Sequence, residues 1–148
     1  MQRIALIGIT GRAGSRIASE LLARGHRVTG IARNTADAPA GAGLSLHSAD
    51  ASRADALAPL LQGHDVVVSA ARFDGGPTAE VLIEAVRRAG VPRLLVVGGA
   101  GSLEVAPGVA LIDTPEFPQA YKAEAAAGRV FLEALRRADD IDWTFVSP

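Results

Sequence analysis

Short runs of β-branched and apolar residues alternate along the chain with segments whose apolar positions recur at helical spacing, from one end to the other. Strands separated by helices need crossover connections, so the pattern predicts a parallel sheet. Arg3 to Ile7 reads as the first strand, and Ala13 to Arg24 as the first helix, with Ile17, Leu21 and Leu22 as its apolar face and Gly25 as its stop. Arg27 to Ala32 is the second strand and Leu44 to His47 the third, after a loop rich in Ala, Pro and Gly. Ser52 is placed to cap a second helix that Pro59 shortens and Gly63 ends. His64 to Ala71, with Val66, Val67 and Val68, reads as a central strand buried on both faces. Pro77 opens a third helix whose stripe is Val81, Leu82, Ala85, Val86 and Ala89; Gly90 closes it before the strand Arg93 to Val97. Gly108 to Pro118 reads as irregular, Gln119 to Ala138 as a helix with Val130, Phe131, Ala134 and Leu135 inward, and Ile141 to Val146 as the last strand.

Six strands with right-handed crossovers give a doubly wound α/β sheet, most simply in the order 3-2-1-4-5-6, as a single domain over residues 1–148 without internal repeats. Ligands of such sheets bind outside the carboxyl ends of the strands, where the order reverses between the first and fourth. That edge collects Gly8 to Gly14, Arg33, Asp50, Ser69 to Ala71, Gly98 to Ser102, and Ser147 with Pro148. His26 and His64 precede strands and belong to the opposite edge, where a structural role is expected; His47 lies on a strand near the sheet's margin and is read the same way.

Composition narrows the chemistry. With 15 Lys+Arg against 16 Asp+Glu, a net charge of −1 and no basic run, there is no electrostatic footprint for nucleic acid or an anionic membrane. The absence of cysteine removes disulfides, thiolate chemistry and iron–sulfur clusters, and three scattered histidines suggest no metal site. No stretch of about 18 apolar residues occurs and the N-terminus carries no secretory pattern, so a cytoplasmic protein is expected. The oligomeric state is not legible.

Gly8-Ile9-Thr10-Gly11-Arg12-Ala13-Gly14 follows a strand and opens a helix inside a βαβ unit of about 30 residues. In such a loop one glycine makes the tight turn, one lets a pyrophosphate approach the backbone and one lets helix and strand pack closely, while the helix start offers free N–H groups and a positive dipole end. A dinucleotide phosphate fits there. The spacing is G-x-x-G-x-x-G, and as G-x-T-G-x-x-G it resembles that of the extended and atypical short-chain dehydrogenase/reductases, which have the Rossmann fold. Together with Val96-Val97-Gly98-Gly99-Ala100-Gly101-Ser102 and the closing Trp143-Thr144-Phe145-Val146-Ser147-Pro148, it makes the whole chain similar to the NADH-flavin reductase family, beside the biliverdin IX beta/flavin reductases and the redox sensors of nitrogen-metabolite repression. Members usually continue for some tens of residues past the Ser-Pro, so the resemblance predicts a chain truncated at Pro148.

An acid about 20 residues past the glycines takes the ribose 2′-hydroxyl in NAD-selective folds. Here the second strand runs into Arg33 and Asn34, with no acid before Asp37. A permanently charged guanidinium able to form two parallel bonds suits a phosphate, and Arg12 can reach the same group, so NADP(H) is favoured over NAD(H). Asp50 and the N–H of Ala51 resemble the family's adenine-edge contact, although Asp50 could equally serve to cap the neighbouring helix. Ser69, Ala70, Ala71, Gly98 and Gly99 leave room for a cofactor against the backbone, or are small because the strands pack closely.

The family resemblance implies hydride transfer from NAD(P)H to a flavin or quinone-like acceptor. The Tyr-x-x-x-Lys pair of ordinary short-chain dehydrogenases is missing: Tyr121 is followed directly by Lys122, and Ala125 stands where the lysine would be. Tyr121 and Lys122 are the candidate catalytic residues, although adjacent helical positions point about 100° apart. Ser102 falls three residues after the position at which related reductases carry a serine, now Gly99, and is assigned no role. A non-catalytic NADP(H)-binding redox sensor is the alternative, compatible with so thin a catalytic apparatus.

Overall fold

The computed structural model describes all 148 residues. Six strands form one parallel sheet in the order β3-β2-β1-β4-β5-β8: β1 is Arg3–Ile7, β2 Arg27–Ala32, β3 Leu44–Ser48, β4 Val66–Ser69, β5 Arg93–Val97 and β8 Asp142–Val146. The expected order is thus found, with β8 as the sixth strand of the sheet. Four helices connect the strands: α1 (Arg12–Ala23), α2 (Ala54–Leu61), α3 (Ala79–Ala89) and α4 (Lys122–Arg136).

Alternation along β1 distributes its side chains to the two faces. Ala5 and Ile7 join the larger core with Leu57 and Leu61 of α2, Leu82 and Val86 of α3, and Phe131 and Leu135 of α4. Ile4 and Leu6 point the other way, into a smaller core shared with Val28, Val66, Val68 and Ala18 of α1. Every residue of β4 is buried, as a central parallel strand should be. Gly90 takes the left-handed conformation at the end of α3, as read, whereas the helix opens at Ala79 and not at Pro77, because the Thr78 hydroxyl is the N-cap and accepts from the Val81 N–H.

The structure corrects several local expectations. Val130 is 68% exposed: the inward stripe of α4 is Phe131, Leu132, Ala134 and Leu135, and Val130 lies to one side of it. Ser52 does not cap α2. The N-cap is Arg53, without a side-chain bond, and the Ser52 hydroxyl is spent on Asp50. The last helix begins later than expected: a 3-10 turn over Gln119–Tyr121, with Pro118 as its N-cap, precedes α4, which opens at Lys122. The stretch read as irregular holds a small antiparallel hairpin, β6 (Glu104–Ala106) with β7 (Val109–Ala110), turning at Gly108.

His64 bridges the Thr29 hydroxyl and the Leu61 carbonyl through its two ring nitrogens, and the His26 ring accepts from the Gln2 N–H. Both belong to the amino-terminal edge of the sheet, in structural roles. His47 is exposed on β3.

Candidate functional site

At the carboxyl edge the order reverses between β1 and β4, and the two strand ends touch. Gly8, at φ +83°, lies so close to the chain leaving β4 that a Cβ there would sit 2.8 Å from the Ala71 nitrogen. Its own N–H donates to the Ile31 carbonyl, and the Gly11 N–H donates back to the Gly8 carbonyl, which closes the turn. Gly14, buried in the first turn of α1, presses against that same carbonyl; a Cβ on it would come within 2.0 Å. The first bond into α1 runs from Ser15 N–H to the Gly11 carbonyl, so the N–H groups of Arg12, Ala13 and Gly14 have no helical acceptor. No side chain caps them and no acid stands in the first turn. The positive end of α1 therefore lies bare beside the groove, a cradle suited to phosphate.

Two cavities meet across this edge. One, of about 500 Å³, is lined by Gly8, Thr10, Gly11, Arg33, Asp50 and Ala51 on one side and by Asp74, Gly75, Gly76 and Pro77 on the other. The second, of about 390 Å³, is lined by Phe73, Gly98, Gly99, Gly101, Ser102, Phe117, Tyr121, Glu124, Ala125, Gly128 and Phe145. Ala70, Ala71 and Arg72 line both, so together they make one groove across the switch point.

The first cavity has the features of a dinucleotide's adenosine and phosphate half. Arg33 is exposed at its rim and enters no ion pair, so its guanidinium is free for a ligand. Asp50 accepts from both the hydroxyl (2.6 Å) and the N–H (3.0 Å) of Ser52 through the same oxygen, Oδ1. Those two bonds, the hydroxyl's foremost, hold its carboxyl below the usual carboxylate range. The carboxylate stays charged, and Oδ2 is left unengaged. The alternatives left open for Asp50 are thereby narrowed: it shapes its own turn and does not cap α2.

Several candidates do not reach the groove with their side chains. Asn34 turns back to accept from the Ala36 N–H. Ser69 is 4% exposed inside β4, and Gly14 is buried beneath the loop. Arg12 and Ala13 are exposed at the start of α1 and are not among the residues that line either cavity. Lys122 opens α4 away from either cavity, whereas Tyr121, 65% exposed, stands at the rim of the second. Ser147 and Pro148 follow β8, whose Val146 carbonyl accepts from the Gly98 N–H, and line neither cavity.

The second cavity joins the expected Ala70, Ala71, Gly98 to Ser102 and Tyr121 to residues that local sequence patterns do not reveal, among them Phe73, Phe117, Glu124 and Gly128. Phe73 stacks on Phe145, with ring centroids 5.8 Å apart and planes 20° from parallel, and meets Phe131 at 5.1 Å. Glycines make space for these rings, since a Cβ on Gly98 would strike Phe145 and one on Gly128 would approach Phe73 at 3.0 Å. Glu124 reaches across from α4 to accept from the N–H groups of Phe73 and Asp74. The partners are about fifty positions apart along the chain, and only the fold brings them together.

A sequence profile of NAD(P)H-binding proteins matches residues 8–148. The chain belongs to the NAD(P)H-binding family. Among solved structures, this family member is similar to a candidate exported protein of Burkholderia pseudomallei, 46% identical with a TM-score of 0.87 over 100% of this chain and 72% of the other. It is also similar to a candidate epimerase of Bacteroides thetaiotaomicron, at 37% identity and a TM-score of 0.90 over 99% of this chain and 70% of that one. A third neighbour is a candidate NADH-flavin reductase of Streptococcus pneumoniae, 36% identical, with a TM-score of 0.81 over 100% of this chain and 72% of the other. The resemblance to the atypical short-chain dehydrogenase/reductases, a family of NAD(P)-binding oxidoreductases, holds at the level of family and fold. The NAD(P)H-binding chain spans about 70% of these neighbours' lengths.

Proposed function

We propose that the protein is an NADPH-dependent reductase that delivers hydride to a planar acceptor, a flavin or a quinone-like ring. The observation that carries this reading is the pairing of the two cavities. A phosphate cradle with the unpaired Arg33 adjoins a slot walled by aromatic rings and small residues, and Ala70, Ala71 and Arg72 line both. The Streptococcus neighbour's designation as a candidate NADH-flavin reductase supports the flavin half of this reading, while the choice of NADPH rests on Arg33.

The residues present fit a dinucleotide. The N–H groups at the start of α1 and the Gly8–Gly11 turn would hold its pyrophosphate, Arg33 a 2′-phosphate, and Asp50 Oδ2 the adenine amine; the bound cofactor supplies the hydride. The chain's own task is alignment. Of the titratable side chains lining the acceptor slot, Glu124 is engaged by two backbone N–H groups, Tyr121 lies exposed at the rim, and Arg72 is a permanent cation. None is a buried proton donor aimed into the slot, which suits an acceptor whose reduction needs stacked rings more than a positioned acid.

Tyr121→Phe and Lys122→Ala are therefore each expected to lower flavin reduction at saturating NADPH by less than about 10-fold, since general acid catalysis is usually worth about 100-fold or more. A loss of about 100-fold from either, with binding intact, would assign a proton-transfer role and point to a carbonyl or quinone acceptor. Steady-state NADPH oxidation with FMN, riboflavin and a simple quinone tests the function itself. Tight NADPH binding without turnover on any of them would favour the redox sensor, a reading that the lack of a buried titratable proton donor in the slot also supports. The compartment we propose is the cytoplasm, where reduced nucleotide is available; no helix is long and apolar enough to cross a membrane.

A further inference from the structure

We infer that Glu124 is a positioning residue for the nucleotide, acting through the loop between β4 and α3. The Glu124 carboxylate receives the Asp74 N–H at 2.7 Å on Oε1 and the Phe73 N–H at 3.0 Å on Oε2, so both of its oxygens are committed to one short piece of backbone. That backbone is the shared wall of the groove. Arg72 faces both cavities, Phe73 faces the acceptor slot, and Asp74, Gly75 and Gly76 face the nucleotide cavity.

The far end of the loop closes on itself, with Gly76 pressed against the Arg72 carbonyl and Pro77 buried, but its Phe73–Gly75 stretch has less support. Gly75 sits at φ +79° with open space around it, and Asp74 and Gly75 are exposed. Phe73 anchors one end by packing on Phe131 and Phe145. Toward the nucleotide, the hydrogen bonds from Glu124 hold the Phe73–Asp74 backbone, with the carboxylate itself fixed in the first turn of α4. A carboxylate accepts from both N–H groups at once. An amide offers one oxygen, and its NH₂ meets the second N–H as donor against donor. Glu124 therefore sets the height of a wall that the nucleotide leans on, and does so without touching the 2′-position that distinguishes the two cofactors.

The inference rests on the groove being a dinucleotide site, and one set of titrations separates the two. The wild-type chain, Glu124→Gln and Glu124→Ala are titrated with NADPH and with NADH by nucleotide fluorescence, and amide exchange is followed at Phe73, Asp74 and, as a control, Val67 in β4. In both variants the Phe73 or Asp74 amides are expected to exchange at least about tenfold faster with Val67 unchanged, as loss of a charge-assisted bond implies. Affinity for both nucleotides is expected to fall together, by about tenfold in Glu124→Ala and by part of that in Glu124→Gln, at an unfolding midpoint close to wild type. Release of the amides with nucleotide affinity held within about twofold would overturn the proposal, as would unchanged exchange at both positions. Glu124→Gln, which keeps the side chain's size, decides the matter should Glu124→Ala fail to fold. A wild-type chain that binds neither nucleotide would instead refute the reading of the groove, and this inference with it.

Discussion

Gly14→Ala should both loosen the fold and remove nucleotide binding. The added methyl would stand 2.0 Å from the Gly8 carbonyl oxygen and 2.8 Å from its carbon, and these are backbone atoms of a turn already packed on Ala70 and Ala71. No rotamer change relieves such a contact, so α1 has to retreat from the loop. Overpacking of this kind costs about 1–3 kcal/mol, and a domain of this size loses about 2–4 °C of unfolding midpoint per kcal/mol. The same retreat carries the three unpaired N–H groups of the helix away from the phosphate they would bind, and a displacement of about 1 Å in a positioned site can cost on the order of 100-fold. Gly99→Ala is the matched control: nothing lies within 4 Å of the added methyl, and the midpoint should stay within about 0.5 kcal/mol of wild type. Calorimetry and NADPH titration on the two variants settle it; a Gly14→Ala protein with wild-type midpoint and affinity would show that the turn is looser than its contacts imply.

Arg33→Ala should separate the two cofactors. The guanidinium is exposed, unpaired and at the rim of the nucleotide cavity, so its removal leaves no buried partner stranded and should not alter folding. The only loss expected is its bond to a 2′-phosphate. Hydrogen bonds to charged groups are worth about 10- to 100-fold in affinity, and that is the expected weakening for NADPH, with NADH nearly unaffected. Asp50 does not offset the effect, because its carboxyl is held below the usual range chiefly by the two Ser52 hydrogen bonds, with Arg33 the smallest of the contributing charges. Equal losses for both nucleotides would sink the phosphate assignment. The contrast with Glu124, whose loss weakens both nucleotides alike, means that comparing the two variants in one titration series separates selectivity from positioning.

What could be read from the chain itself was what short-range physics determines. The glycine turn is a local object: strand, turn and helix start lie within a dozen residues, and the structure puts Gly8, Thr10 and Gly11 in the groove as their spacing predicts. Arg33 was legible because it directly follows a strand of the parallel sheet, at the edge where ligands gather. Periodicity misplaced Val130 because an apolar residue beside a stripe looks like part of it until the stripe's partners are known. The Glu104–Ala110 hairpin stayed hidden because its strands are too short for period-two alternation to register. The aromatic and α4 side of the acceptor slot was out of reach for a different reason. Phe73, the α4 pair Glu124 and Gly128, and Phe145 come from three separate stretches of the chain, and no spacing rule links those stretches to one another.

The obstacles that surround the groove's glycines differ in kind, and the difference decides which positions can drift in concert. At Gly8 any side chain would meet the main chain of Ala70 and Ala71, atoms that every amino acid possesses, so no second substitution can make room for it. At Gly98 the neighbour is the ring of Phe145, which a smaller residue removes. Gly98→Ala alone should destabilise the protein, and Gly98→Ala combined with Phe145→Leu should recover part of that loss, a coupling that a double-mutant cycle reads directly. Position 8 is thus fixed by the backbone alone, whereas positions 98 and 145 form a pair free to exchange volume, and through that exchange the acceptor slot can be reshaped while the nucleotide cradle stays as it is.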